Sequence, residues 1–154
     1  AMENMNQDMT GAAVVFGTMF ALAAMNEKVN VVGVLPLAKN MISDRSMVVG
    51  DVYKSITGRT VEITSPDSEG RMILADAIGY VNKYYKVTKL ITIATLTGLS
   101  EIAFGDFMTP YWSTTDETAI TIYNLAKISG DGVVPLPLAS FAVYKMILLI
   151  GGDK

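Results

Sequence analysis

Asp67, Glu69 and Arg71 stand two residues apart in a dense polar stretch, Ser65-Pro66-Asp67-Ser68-Glu69-Gly70-Arg71. Carboxylates are hard oxygen donors suited to a divalent cation or a metal pair, and a guanidinium can grip an anion with two parallel bonds. Whether the three act together depends on the backbone. On a helix, residues two apart do not face one another; on an extended segment they share a side. Pro66 biases Ser65 toward extended geometry, and Ser68 and Gly70 are small, so two carboxylates and a guanidinium could meet at one point. The plainer alternative is a loop feeding a helix, with acids at the positive end of its dipole. Asp8 is the second candidate, a charge at the mouth of a very apolar segment, where helix N-capping would account for it. Ala94-Thr95-Leu96-Thr97-Gly98 follows a strand-like run, and ligands of open α/β sheets bind beyond the carboxyl ends of strands. Its ordinary reading is a strand-to-helix turn.

Composition removes most other chemistries. The chain has 154 residues, which suits one domain, and no cysteine or histidine. Disulfides, thiolate catalysis, zinc fingers, Ser/His pairs, HExxH sites and imidazole proton shuttles are therefore excluded. Any metal must be held by oxygen ligands or a lysine. Hydrophobic residues make up 51% and charged residues 18%, the balance of a globular core rather than a disordered chain. A net charge of −3 gives no footprint for nucleic acid. GxGxxG and GxxxxGK[ST] are absent, so nucleotide binding has no support. No signal peptide or membrane span is legible; residues 133–150 are apolar but carry Pro135, Pro137 and Lys145. The expectation is a soluble, cytoplasmic protein.

The elements that must position these residues follow from patterning. Residues 9–25 are apolar on nearly every face and predict a buried helix. Residues 29–37 and 89–94 are rich in β-branched residues and predict buried strands. Residues 51–56 and 60–64 predict a hairpin around Thr57-Gly58-Arg59. Residues 71–85 predict a helix with Ile73, Ala77, Tyr80, Val81 and Tyr84 on one side. Short and longer helices are expected at 99–104 and 116–127, and an extended run at 133–138. Strands alternating with helices make an α/β layer fold with a largely parallel sheet. Residues 139–150 could be helix or strand, and the chain then stops at Gly151-Gly152-Asp153-Lys154, as a truncated piece would.

Taken together, these segments resemble the catalytic domain of the leucyl aminopeptidase, or cytosol aminopeptidase, family. The resemblance is carried by Asp8-Met9-Thr10-Gly11-Ala12-Ala13, Asn40-Met41, Gly50-Asp51-Val52 and Gly58-Arg59-Thr60-Val61-Glu62. It continues through Asp67-Ser68-Glu69-Gly70-Arg71 and Leu74-Ala75-Asp76-Ala77 to Ala94-Thr95-Leu96-Thr97-Gly98. It covers about residues 2–138; Ile150-Gly151-Gly152 is similar to a later family segment, joined early across 146–150 as if a helix and loop were skipped. The resemblance implies a three-layer α/β fold with a mixed, largely parallel central sheet flanked by helices, here incomplete, with residues 1–154 forming one partial domain. It implies a two-metal hydrolase (zinc, manganese or magnesium) that removes N-terminal residues, often leucine, from peptides and assembles as a hexamer. By motif position, Asp8 would ligate one metal and Asp67 the other, with Glu69 bridging them. Arg71 would hold a bicarbonate acting as general base. Thr95, Leu96 and Gly98 would lie beside the substrate, and Met5 would wall the pocket for its first side chain.

The family's lysine ligand, second bridging aspartate and catalytic lysine have no counterpart in this sequence. Asp8, Asp67 and Glu69 carry one charge fewer than two divalent ions require. Weak metal binding and little or no peptidase activity are therefore expected of this chain by itself. Within the match, Ser65-Pro66 stand where the family usually has Asn-Thr, and Ser68 where it has alanine. The competing reading is a non-catalytic aminopeptidase-like scaffold that packs and assembles without chemistry.

Overall fold

A computed structural model describes residues 2–39 and 41–138, with only the backbone of Met2. Asn40, the expectations for residues 139–150 and the join near 146–150 lie outside the described residues. Contacts cluster into two units, Ala1–Leu96 and Thr97–Lys154, taken in turn.

The first unit opens with a 3-10 turn, Met2–Gln7, followed by α1, Thr10–Ala24. The alanine- and methionine-rich run forms the helix expected of it. Asn26, at φ 54°, ends it, since asparagine tolerates the left-handed region. The expected burial is not found. Gly11 is the buried residue of α1, while Phe16 and Phe20 are 64% and 69% exposed. Nor do residues 29–37 and 89–94 form strands: they are without sheet assignment, and most of their residues are exposed. An apolar run forms a buried strand only where neighbouring strands take up its backbone N–H and C=O groups. Among the described residues these two segments have no such neighbours.

The hairpin is as predicted. β1 (Val52–Lys54) and β2 (Thr60–Glu62) pair antiparallel, with Tyr53 opposite Val61. Gly58 takes φ 86° in the turn, where a side chain would be strained. The ladder is extended by Ile63 N–H donating to the Asp51 carbonyl (2.8 Å), and Ile63 is 2% exposed. Behind it comes a 3-10 turn, Pro66–Ser68, and α2, Glu69–Tyr84. Glu69 in the first turn and Lys83 in the last complement the helix dipole. Val81 is buried and Ile73 and Ala77 half-buried, whereas Tyr80 and Tyr84 stand exposed with their rings 4.8 Å apart. The hairpin docks on α2 at two points a turn apart. Ile56 N–H donates to Asp76 Oδ1 (3.0 Å), and a Cβ on buried Gly79 would lie 2.6 Å from the Ile56 Cγ2 methyl.

The second unit contains α3 (Leu99–Phe104), β3 (Thr109–Tyr111), α4 (Asp116–Ser129) and β4 (Val133–Pro135). Both helices match expectation. β3 was not foreseen, being short and interrupted by Pro110. It pairs parallel with β4, Pro110 opposite Val134, and α4 makes the crossover of a βαβ unit. Thr115 caps α4 by accepting from Thr118 N–H (3.3 Å), and Gly130 ends it at φ 78°. Tyr111 ties β3 to α4 by donating its hydroxyl to the Ala119 carbonyl (2.8 Å). The alternation is that of an α/β protein. The sheets described are two-stranded, one antiparallel and one parallel.

Candidate active site

The structure brings three distant motifs together inside the first unit. Asp8 precedes Met9, the residue at the N-cap position of α1, and α1 has no side-chain cap. Capping therefore does not account for Asp8. Its backbone N–H donates to the Met5 carbonyl (3.1 Å), closing the turn that carries both residues. Its carboxylate reaches across the fold instead: the Thr95 hydroxyl donates to Asp8 Oδ1 at 2.7 Å. Beneath this bond, Gly11 packs on backbone. A Cβ there would be driven into the Ile93 carbonyl oxygen and would lie 2.8 Å from Ala94 Cα. The Leu96 side chain in turn lies against the start of α2, 3.4 Å from where a Cβ on Gly70 would stand. Residues 93–96 thus touch the first turn of α1 on one side and the first turn of α2 on the other.

Asp67, Glu69 and Arg71 do not sit on an extended segment. Pro66 opens a 3-10 turn that runs directly into α2, so Asp67 is in that turn while Glu69 and Arg71 are in the first turn of the helix. Glu69 and Arg71, two apart on a helix, project in different directions. Asp67 and Arg71 are exposed and Glu69 is half-buried. Met5 is 48% and Leu96 42% exposed. Gly98 belongs to the second unit, where it is the N-cap residue of α3. A shallow apolar depression in that unit, lined by residues such as Ile122, Leu125, Ile128 and Val133, includes none of the candidate residues.

The donor chemistry suits a hard divalent cation, since Asp8, Asp67 and Glu69 offer carboxylate oxygens. The number does not. Among the described residues, no group of three or more acidic side chains is placed so as to hold a metal ion. These residues can contribute ligands to a metal centre but do not close one by themselves.

Two residues escaped the sequence reading. Gly11 was read only as part of a motif, yet a glycine inside an apolar helix costs about 1 kcal/mol against alanine and so signals close packing. Asp76, likewise, is the anchor of the hairpin.

The family profile described as "Cytosol aminopeptidase family, catalytic domain" matches residues 1–147. The chain belongs to the cytosol aminopeptidase family. A probable cytosol aminopeptidase of Brucella anthropi is 40% identical over 139 residues, covering 90% of this chain and 28% of that protein. This chain thus spans a little over a quarter of the length of such relatives. Among solved structures, a mutant of tomato leucine aminopeptidase matches with a TM-score of 0.78 and 33% identity, over 90% of this chain and 27% of that one. The bottromycin maturation enzyme BotP matches with a TM-score of 0.83 and 33% identity, over 89% and 30% of the two chains. The same enzyme in complex with Mn matches at 0.78, with 31% identity over 89% and 30%. These likenesses agree with an α/β catalytic domain of the cytosol aminopeptidases. No helix among the described residues is long and apolar enough to cross a membrane.

Proposed function

We propose that this chain is part of a metal-dependent aminopeptidase that releases N-terminal residues, leucine-type, from peptides. The observation that carries the reading is the convergence of separate family motifs at residues 93–96, with Asp8 bonded to Thr95 and Leu96 set against Gly70. Membership of the cytosol aminopeptidase family and the manganese-bound neighbour add their support. In this reading Asp8, Asp67 and Glu69 would hold two divalent ions (zinc, manganese or magnesium), Asp8 serving one, Asp67 the other and Glu69 both. When bound, such a pair lowers the pKa of water and polarises a carbonyl. Arg71 would hold bicarbonate through its paired guanidinium donors, and the bicarbonate would supply a proton acceptor. Met5, Thr95 and Leu96 would border the substrate, with Met5 walling the pocket for the first side chain.

The same reading places residues 29–37 and 89–94 as strands of a three-layer domain's central sheet, paired with neighbours such as the relatives' further length would supply. It also makes the parent protein a cytoplasmic homo-oligomer, a hexamer as in the family. Because the acidic residues described here do not close a metal site, this chain alone is expected to be inactive.

Hydrolysis of a leucyl chromogenic substrate with added manganese tests the proposal. A chain extended to the relatives' full length should turn over, and this chain should not. Loss of activity in the extended chain on Asp8→Asn or Glu69→Gln is expected; unchanged turnover in both variants would overturn the assignment. Two tight manganese sites in a calorimetric titration of this chain would overturn its expected inactivity.

A further inference from the structure

The Thr95–Asp8 bond joins two exposed side chains 87 residues apart in the sequence. Thr95 Oγ1 has one proton to give, and it is directed to Asp8 Oδ1 at 2.7 Å. The separation is fixed from below. Gly11, three residues beyond Asp8, is buried and leaves no room for a side chain between α1 and the backbone of Ile93 and Ala94, the residues that lead into Thr95. The first turn of α1 therefore rests directly on the segment that presents the hydroxyl. Among the described residues, no hydrogen bond engages Asp8 Oδ2.

We propose that Thr95 is a positioning residue for Asp8: its hydroxyl holds Oδ1 and keeps the carboxylate in one rotamer, leaving Oδ2 for a divalent cation. The last clause rests on Asp8 being a metal ligand, as proposed above; the rotamer does not. This is a different role from the substrate contact that motif position alone suggests for Thr95. Ligating carboxylates are commonly held by a hydrogen bond of this kind, and losing the partner typically lowers metal affinity about 10–100-fold.

The experiment measures the Asp8 χ1 populations from three-bond couplings in the isotopically labelled chain without metal, in wild type, Thr95→Ser, Thr95→Val and Thr95→Ala. One dominant rotamer is expected in wild type and Thr95→Ser. Averaging is expected in Thr95→Val and Thr95→Ala, with the amide resonances of α2 and the hairpin unmoved. Thr95→Ala decides the matter if the valine variant does not fold. An averaged Asp8 in wild type, or an unchanged rotamer in the variants lacking the hydroxyl, overturns the proposal. Manganese is then titrated, and paramagnetic broadening of the amides around Asp8 is followed. The midpoint should rise about tenfold or more without the hydroxyl and stay near wild type in Thr95→Ser. If Asp8→Asn titrates like wild type, the ligand reading of Asp8 falls while the rotamer result stands. If Asp8→Asn abolishes the broadening and Thr95→Val leaves it unchanged, the support of Thr95 for metal binding falls.

Discussion

Asp51 is the fold's other busy carboxylate. Its Oδ2 accepts from Val48 N–H and from the Tyr53 hydroxyl, each at 3.0 Å. That hydrogen bond is the main reason the Tyr53 phenol is held above its ordinary value of 10.0; partial desolvation and the negative charge of Asp51 add to it. A raised folded-state value means a contribution present below the unfolded phenol's titration and lost as pH climbs through the folded one. Asp51→Asn should therefore bring the Tyr53 midpoint down, read as phenolate absorbance against pH, and should flatten the alkaline loss of stability. Identical titration curves in the two proteins would dismiss the bond. At this scale the sequence showed residue types better than geometry. Gly50-Asp51-Val52 stood out as a motif, but neither partner of Asp51 could be read from it. Asp67, Glu69 and Arg71 were legible as a polar cluster, and of the two backbones open to them the loop feeding a helix was formed rather than the extended segment. Pro66 suits the first position of a helical turn as well as it disfavours helix in the residue before it, and the turn was adopted.

Helices and the hairpin were the readable elements, because each satisfies its backbone locally. Patterning and capping residues suffice for α4, whose ends are set by Thr115 and Gly130. Thr115→Ala should cost about 0.5–2 kcal/mol of the stability of the second unit, seen as a lower denaturant midpoint, and Thr115→Ser should restore most of it. Of the two points at which the hairpin docks on α2, one is a hydrogen bond to a carboxylate oxygen. Asp76→Ala removes the acceptor of the Ile56 N–H and should destabilise by about 0.5–1.5 kcal/mol, while Asp76→Asn retains an acceptor oxygen and most of the stability. Equal losses in the two variants would show that packing at Gly79, rather than this bond, holds the hairpin. Residues 29–37 and 89–94 carry no sheet assignment for the converse reason. A strand is completed by its neighbours, and its own β-branched residues do not supply them.

Across the whole chain, apolar content and burial diverge. Hydrophobic residues make up 51% of the sequence. Among the described residues the buried hydrophobics are Ile63 and Val81, while Ile42, Ile102, Phe107 and Ile128 are each more than 80% exposed. The exposed apolar surface of the chain alone should bind an apolar dye. Extension to the relatives' full length should suppress the dye signal; an equal signal in the short and extended chains would contradict this. Composition indicated a core-forming chain, and the burial found among the described residues falls well short of that. The Asp8–Thr95 bond carries a last consequence, one of timing. It closes a span of 87 residues. By loop-closure entropy, that costs about 2.5 kcal/mol more than closing a five-residue hairpin turn. The hairpin, α2 and their dock lie inside this span and shorten its effective length once formed. Folding should therefore proceed from the middle of the unit outward, with the Asp8–Thr95 contact among the late events. A nascent chain would carry Asp8 unpaired until Thr95 had left the ribosome.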